Sequence, residues 1–200
     1  KKLALMIKPF DFYFDFISPY SFLAHKEIRK IEKKLGIKIM YKPILLGGLH
    51  NLHGIKAPAF IPARAKHMIR DCKLIAEKNK ISFKFNSYFP IRSLNLMRGV
   101  LVAEEDNFKN YYIDNIFNSI WQDGLNMNDE NIVQKVLKNL NANPNTFLLR
   151  STSSSIKDSL KKITNEAYEK SIFGAPTFVV NNKVFWGQDR IEFALNEASK

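Results

Sequence analysis

The chain has 200 residues, 46% of them hydrophobic and 16 of them Phe, enough for the core of one domain or of one domain carrying a large insertion. Its formal charge of +12 favours anionic ligands in general, but the excess is mostly Lys spread along the chain without a nucleic-acid motif, so no nucleic-acid partner is expected. No stretch of about 18 apolar residues is present, which excludes a membrane span; Cys72, the one cysteine, excludes an internal disulfide or a metal site built on several thiolates.

The opening stretch Lys1–Lys8 imitates a signal peptide, but its apolar part is too short before the first strand, so a cytoplasmic protein is expected. Asp11–Phe16 reads as a strand whose Phe12, Phe14 and Phe16 share one face at period 2. Tyr20, Ala24, Ile28, Ile31 and Leu35 then recur at steps of three and four, a helix over about 19–35 with one buried stripe. Ser18 is a strong N-cap type, Pro19 suits the first helical position, and Gly36 is a natural stop. A strand over about 37–42 follows, and the strand–helix–strand opening fits a parallel pair with a right-handed crossover. Residues 43–61 read as irregular, broken by Gly47-Gly48, Gly54 and Pro58. His50 and His53 lie in that stretch without helical spacing or a nearby carboxylate, so no metal site is expected there.

From about 62 to 150 the pattern is helical only, with helices over 62–79, 93–103, 107–122 and 129–139 and a short one from Pro144 after the cap residue Asn143. Cys72 shares an apolar stripe with Met68, Ile69 and Ile75 and reads as a buried thiol. Gly124 is placed as the C-terminal cap of the 107–122 helix. A helix near 155–169 has Ile156, Leu160, Ile163 and Ala167 in register, with Ser155 and Asp158 as a capping box. Thr177–Val180 and Lys183–Trp186 form a hairpin around Asn181-Asn182, and a closing helix over 190–198 takes Asp189 and Glu192 as its N-terminal box. The economical fold is α/β: one small sheet built from both chain ends and interrupted by an all-helical segment.

A strand aimed at a helix N-terminus gathers unpaired N–H groups and about half a unit of positive charge, which stabilises a phosphate, a carboxylate or a thiolate. Taken alone, Ser18-Pro19 is a plain cap; the chain's other end gives it meaning. The Ser18-Pro19-Tyr20-Ser21 turn, the helical insertion and Phe173-Gly174-Ala175-Pro176-Thr177-Phe178 together resemble the thioredoxin superfamily. More narrowly, the chain resembles the 2-hydroxychromene-2-carboxylate isomerases, sister group to the kappa-class glutathione transferases and built like the DsbA-type oxidoreductases. The likeness runs through Phe12–Ala24, Pro43–Gly48, Phe89–Gly99, Ile116–Leu125 and Phe173–Arg190, with Phe185-Trp186-Gly187-Gln188-Asp189-Arg190 especially characteristic.

The resemblance implies a thioredoxin-like domain made of residues 10–60 and 152–200, with 61–151 as the helical insertion. It implies glutathione as cofactor: Ser18 beside its sulfur, Ala175 and a cis Pro176 along its cysteinyl backbone, and Gln188, Asp189 and Arg190 at its γ-glutamyl end. Arg64 falls where relatives carry a basic residue facing the bound peptide. Ser18 takes the place of the first cysteine of a redox Cys-x-x-Cys, so thiol–disulfide exchange through this motif is lost and the nucleophile moves to the cofactor. Tyr20, Phe60, Phe89 and Arg92 are candidate walls for a small aromatic or conjugated carbonyl substrate. Arg92 stands where relatives often have Asn, and Ile55 follows Gly54 where they read Gly-Asn. The implied activity is glutathione-dependent isomerisation between 2-hydroxychromene-2-carboxylate and trans-o-hydroxybenzylidenepyruvate. The rivals are a kappa-like glutathione transferase and a non-catalytic thiol-peptide binding module, and a homodimer is left open.

Overall fold

The alternation in Asp11-Phe12-Tyr13-Phe14 produces strand β1 (Asp11–Phe14), around which the rest is laid. In the computed structural model, which describes residues 7–200, Phe12, Phe14 and Phe16 all line one fully buried face. Most of the signal-like stretch Lys1–Lys8 therefore lies outside the described residues. Phe16 keeps the expected face although the strand ends at Phe14, two residues early.

Helix α1 (Pro19–Leu35) follows, stopped by Gly36 at φ 67°, and strand β2 (Met40–Pro43) pairs in parallel with β1 from Asp11↔Met40 to Phe14↔Pro43. Residues 43–61 are not irregular, as the glycines had suggested: they hold helix α2 (Leu46–His53) and a single 3-10 turn, Pro58–Phe60. Tertiary burial overrides the poor helix propensity of Gly47-Gly48. Leu49 is fully buried with Tyr13, Ile44, Ala167 and Ile172 on the second face of the sheet, and Gly54 closes the helix at φ 66°.

The helical segment contains α3 (Pro62–Lys78), α4 (Leu94–Glu105), α5 (Lys109–Trp121), α6 (Glu130–Asn139) and α7 (Pro144–Ser151). Asn143 caps α7 as expected, accepting from the Thr146 N–H at 3.1 Å. Helix α5 is closed by Gln122, not Gly124, although Gly124 does take the left-handed φ of 67° two residues on. Gly99 has a packing reason. A Cβ there would stand 2.2 Å from the Tyr112 hydroxyl, which donates to the Leu96 carbonyl at 2.9 Å. Gly99→Ala is expected to lower stability by about 1–3 kcal/mol through overpacking, read from the urea midpoint at unchanged m; an unshifted midpoint would mean that the Tyr112 ring moves aside freely.

Helix α8 (Ser154–Glu169) is capped by Ser153, whose hydroxyl accepts from the Ile156 N–H, and not by a Ser155–Asp158 box. Starting two residues early puts Asp158 beyond the third helical position, out of reach of the cap. Strand β3 (Thr177–Val180) then pairs antiparallel with β1, and β4 (Lys183–Trp186) with β3, giving the order β2-β1-β3-β4. Asp189 is likewise no cap for α9 (Ile191–Ala198): it sits inside a 3-10 turn, Gln188–Arg190, and pairs with Arg190 at 2.6 Å. This is the thioredoxin-like α/β sheet expected from the two chain ends.

A polar cluster lies inside the α1 packing. His25 meets the Tyr41 hydroxyl at Nδ1 (2.9 Å) and Asp114 at Nε2 (2.7 Å), and Arg29 reaches the same carboxylate at 2.8 Å. Burial pushes the His25 pKa below its ordinary value, although Asp114 pulls the other way. A neutral ring satisfies both partners, accepting from Tyr41 and donating to Asp114. No helix among the described residues is long and apolar enough to cross a membrane.

Candidate functional site

Ser18 has extended backbone, caps α1 and is only 5% exposed. Its Oγ accepts the Ser21 N–H at 3.1 Å and donates to the Ala175 carbonyl at 3.2 Å. That single hydroxyl therefore joins positions 157 residues apart. The Ala175–Pro176 bond is cis, as the resemblance implies, and so is Phe89–Pro90, which nothing in the sequence had flagged.

The late hairpin brings its own group of residues. The Pro176 carbonyl accepts from the Gly187 N–H at 2.9 Å, and the Thr177 hydroxyl donates to the Gly174 carbonyl at 2.7 Å. Gly187, at φ 115°, turns the chain so that Gln188, Asp189 and Arg190 follow directly beside the Ala175–Pro176 corner and pack against α1. Ser18, Ala175, Pro176 and the 188–190 turn thus converge. Asp189 and Arg190 are exposed and oppositely charged, able to meet an ammonium and a carboxylate.

On the other side of α1, the Tyr20 hydroxyl donates to Asp71 of α3 at 2.8 Å. Burial and then Asp71 raise the Tyr20 pKa, and Cys72 beside them is pushed up to about 12, mainly by burial. Cys72 is the inert buried thiol expected. Arg64 is exposed in the first turn of α3, two helical turns before Asp71 and on the same face. Phe60 is 59% exposed, at the end of the 3-10 turn that leads into α3. Phe89 belongs to the core instead: its ring packs against Phe85 (5.3 Å) and Trp121 (6.0 Å). Arg92 is exposed, and its N–H donates to the Asn128 side chain at 2.7 Å.

Residues 10–198 match the model of the DSBA-like thioredoxin domain. The chain belongs to that family. It is 27% identical over 190 residues to the 2-hydroxychromene-2-carboxylate isomerase of Sphingobium xenophagum, covering 94% of this chain and 96% of that one. It is 28% identical over 195 residues to glutathione S-transferase kappa 1 of Caenorhabditis elegans, covering 90% and 86%. A solved 2-hydroxychromene-2-carboxylate isomerase superposes with a TM-score of 0.85 at 24% identity, over 93% of this chain and 92% of that one, and shares its fold.

Three residues of this DSBA-like chain escaped the sequence reading. Asp15 is fully buried at the root of the Ser18 turn, where it accepts the Ile17 N–H at 3.0 Å and the Leu46 N–H at 2.8 Å. Burial raises its pKa above the ordinary carboxylate range, against those bonds and a third from Ser93. Trp121 donates its indole N–H to the Phe16 carbonyl at 2.8 Å, so α5 fixes the other side of the turn. Trp186, 53% exposed, packs against Phe173 with ring centroids 5.0 Å apart and makes an aromatic wall over Gly174, where a Cβ would lie 2.6 Å from the indole nitrogen. Exposed aromatics at the mouth of a site are a legible signal, and Phe173 with Trp186 flanking Ala175 could have been read as one. Nothing local announced Asp15. At position 15 of an alternating strand it reads as an ordinary outward-facing acid.

Proposed function

We propose that this protein is a glutathione-dependent isomerase acting on 2-hydroxychromene-2-carboxylate or a related conjugated aromatic oxo acid. The observation that carries the reading is the Ser18 hydroxyl, capping α1 and 3.2 Å from the carbonyl that precedes the cis Pro176. The residues around it fit glutathione: a hydroxyl at a helix N-terminus for the sulfur, the Ala175 backbone for an antiparallel peptide, and opposite charges at Asp189 and Arg190 for a zwitterionic end. Arg64 adds a cation on the α3 side. The chemistry that glutathione supplies when bound is a thiolate for reversible conjugate addition, which lets a former double bond rotate.

The chain's own part is to favour that thiolate and to orient it. With glutathione bound, the Ser18 hydroxyl could donate to its sulfur in place of the Ala175 carbonyl, and the α1 terminus would add its partial positive charge; both would favour the anion over the thiol. Ser21 stands in the motif's second cysteine position, so no protein thiol is there to form a mixed disulfide. Tyr20, Phe60 and the Phe173–Trp186 pair offer apolar surface to a flat substrate. The similarity to a kappa-class transferase supports a second outcome at the same site, a stable conjugate. Purified protein is to be mixed with glutathione and 2-hydroxychromene-2-carboxylate, following absorbance and product mass. Isomer of unchanged mass, formed only with glutathione present, is expected. A product carrying the mass of glutathione would favour the transferase, and turnover indifferent to glutathione would end both readings.

A further inference from the structure

Away from the Ser18 turn, α2, α4 and α8 flank an open cleft of about 510 Å³ that none of the residues assigned to glutathione or substrate lines. Its apolar surface comes from Leu45, which caps α2, Leu52 on α2, Leu94 at the start of α4 and Leu160 on α8. Its charge is one-sided: Arg98, Lys157 and Lys161 are set against the single acid Asp158. Lys157 and Lys161 stand one turn apart on α8, and neither they nor Arg98 make an ion pair among the described residues. Arg98 lines the cleft, and one of its terminal guanidinium nitrogens donates only to Asn95, at 3.2 Å.

Three cations facing one acid leave the cleft with an excess of positive charge, and an anion entering it would gain charge-assisted hydrogen bonds. The volume is that of a small-molecule pocket, with mostly apolar walls and a few convergent polar groups. Bare phosphate or sulfate would leave the four leucines uncovered; a neutral hydrocarbon would leave the three cations without a counter-charge. We propose that this cleft is a second ligand site that binds a monoanionic aromatic carboxylic acid, its ring among Leu45, Leu52, Leu94 and Leu160 and its carboxylate on Arg98 and the α8 lysines. The site stands independently of the isomerase reading.

The probe is 2-naphthoate, titrated calorimetrically into the full chain, with uncharged 2-naphthamide as the control. Saturable one-site binding is expected, at least tenfold weaker for the amide. Lys157→Gln/Lys161→Gln changes only side chains at the surface of α8 and should weaken naphthoate at least tenfold; Arg98→Gln should do the same provided its circular dichroism is that of the parent. Arg64→Gln/Arg190→Gln, which alters the site around Ser18, should bind naphthoate unchanged. The proposal is overturned if naphthoate does not saturate, if the amide binds as well as the acid, or if the Arg64/Arg190 variant loses binding while the lysine variant keeps it.

Discussion

Ser18→Ala is expected to slow the proposed glutathione-dependent turnover by about 10- to 150-fold near neutral pH, the equivalent of one hydrogen bond to a charged partner, about 1.5–3 kcal/mol. The sign of its pH dependence follows from which form the hydroxyl favours. Donation to sulfur stabilises the thiolate, so its loss raises the bound thiol's pKa and leaves less thiolate at a given pH. The variant's deficit should therefore be greatest on the acid side and shrink as pH rises, moving the ascending limb of the rate profile upward by about one unit or more. The same oxygen accepts the Ser21 N–H, so alanine also removes a helix cap, typically about 1 kcal/mol of folding stability. Ser18→Gly separates the two effects, since glycine lacks the hydroxyl but costs only a few tenths of a kcal/mol at an N-cap. A Ser18→Ala profile superimposable on wild type, with unchanged thiol pKa, would remove Ser18 from the chemistry and leave it a cap.

Trp121→Ala should have the largest effect on folding, a loss of about 3–5 kcal/mol. The side chain is fully buried and packs on Phe83, Phe85 and Phe89 with ring centroids 6.1, 5.5 and 6.0 Å away. Trp121→Phe keeps much of that surface but strands the Phe16 carbonyl, which accepts the indole N–H, and should lose about 1–3 kcal/mol. Urea unfolding followed by circular dichroism measures both, free of the fluorescence of the exposed Trp186. Equal losses in the two variants would show that the hydrogen bond, and not the packing, is what Trp121 contributes. Because Phe16 lies two residues before Ser18, Trp121→Phe also reports whether α5 holds the turn: a lower kcat at unchanged thiol pKa would mean that it does.

What the sequence revealed, it revealed through local rules. Ser18, Pro19 and Gly36 bound α1 because capping depends on a few adjacent residues, and those residues are found doing it. The same rules failed where neighbours compete. In the serine run before α8, Ser153 wins the cap that Ser155 was expected to hold. Before α9, the Asp189 side chain has a better partner in Arg190. Helix α2 was invisible because what stabilises it is Leu49 against Tyr13 and Ile172, contacts no window of sequence contains. The site shows the same division. Each half of the Ser18–Ala175 pair has a local signature, but their meeting depends on β3 lying beside β1, and only family likeness supplied that before the structure did. Asp15 and His25 were missed for a further reason: a lone acid or imidazole looks the same in sequence whether solvated or sealed inside.

The register of β1 with β3, Asp11↔Val179 to Tyr13↔Thr177, carries a consequence for biosynthesis. Emerging from the ribosome, β1 can find β2 at once, but its other edge must wait until more than 160 further residues have been translated. Until then Phe12 lacks Phe178, on which its ring stacks, and an open strand edge invites the wrong partner. Nascent chains halted before Thr177 should consequently depend on holding chaperones, and the Ser18 pocket is among the last things this polypeptide completes.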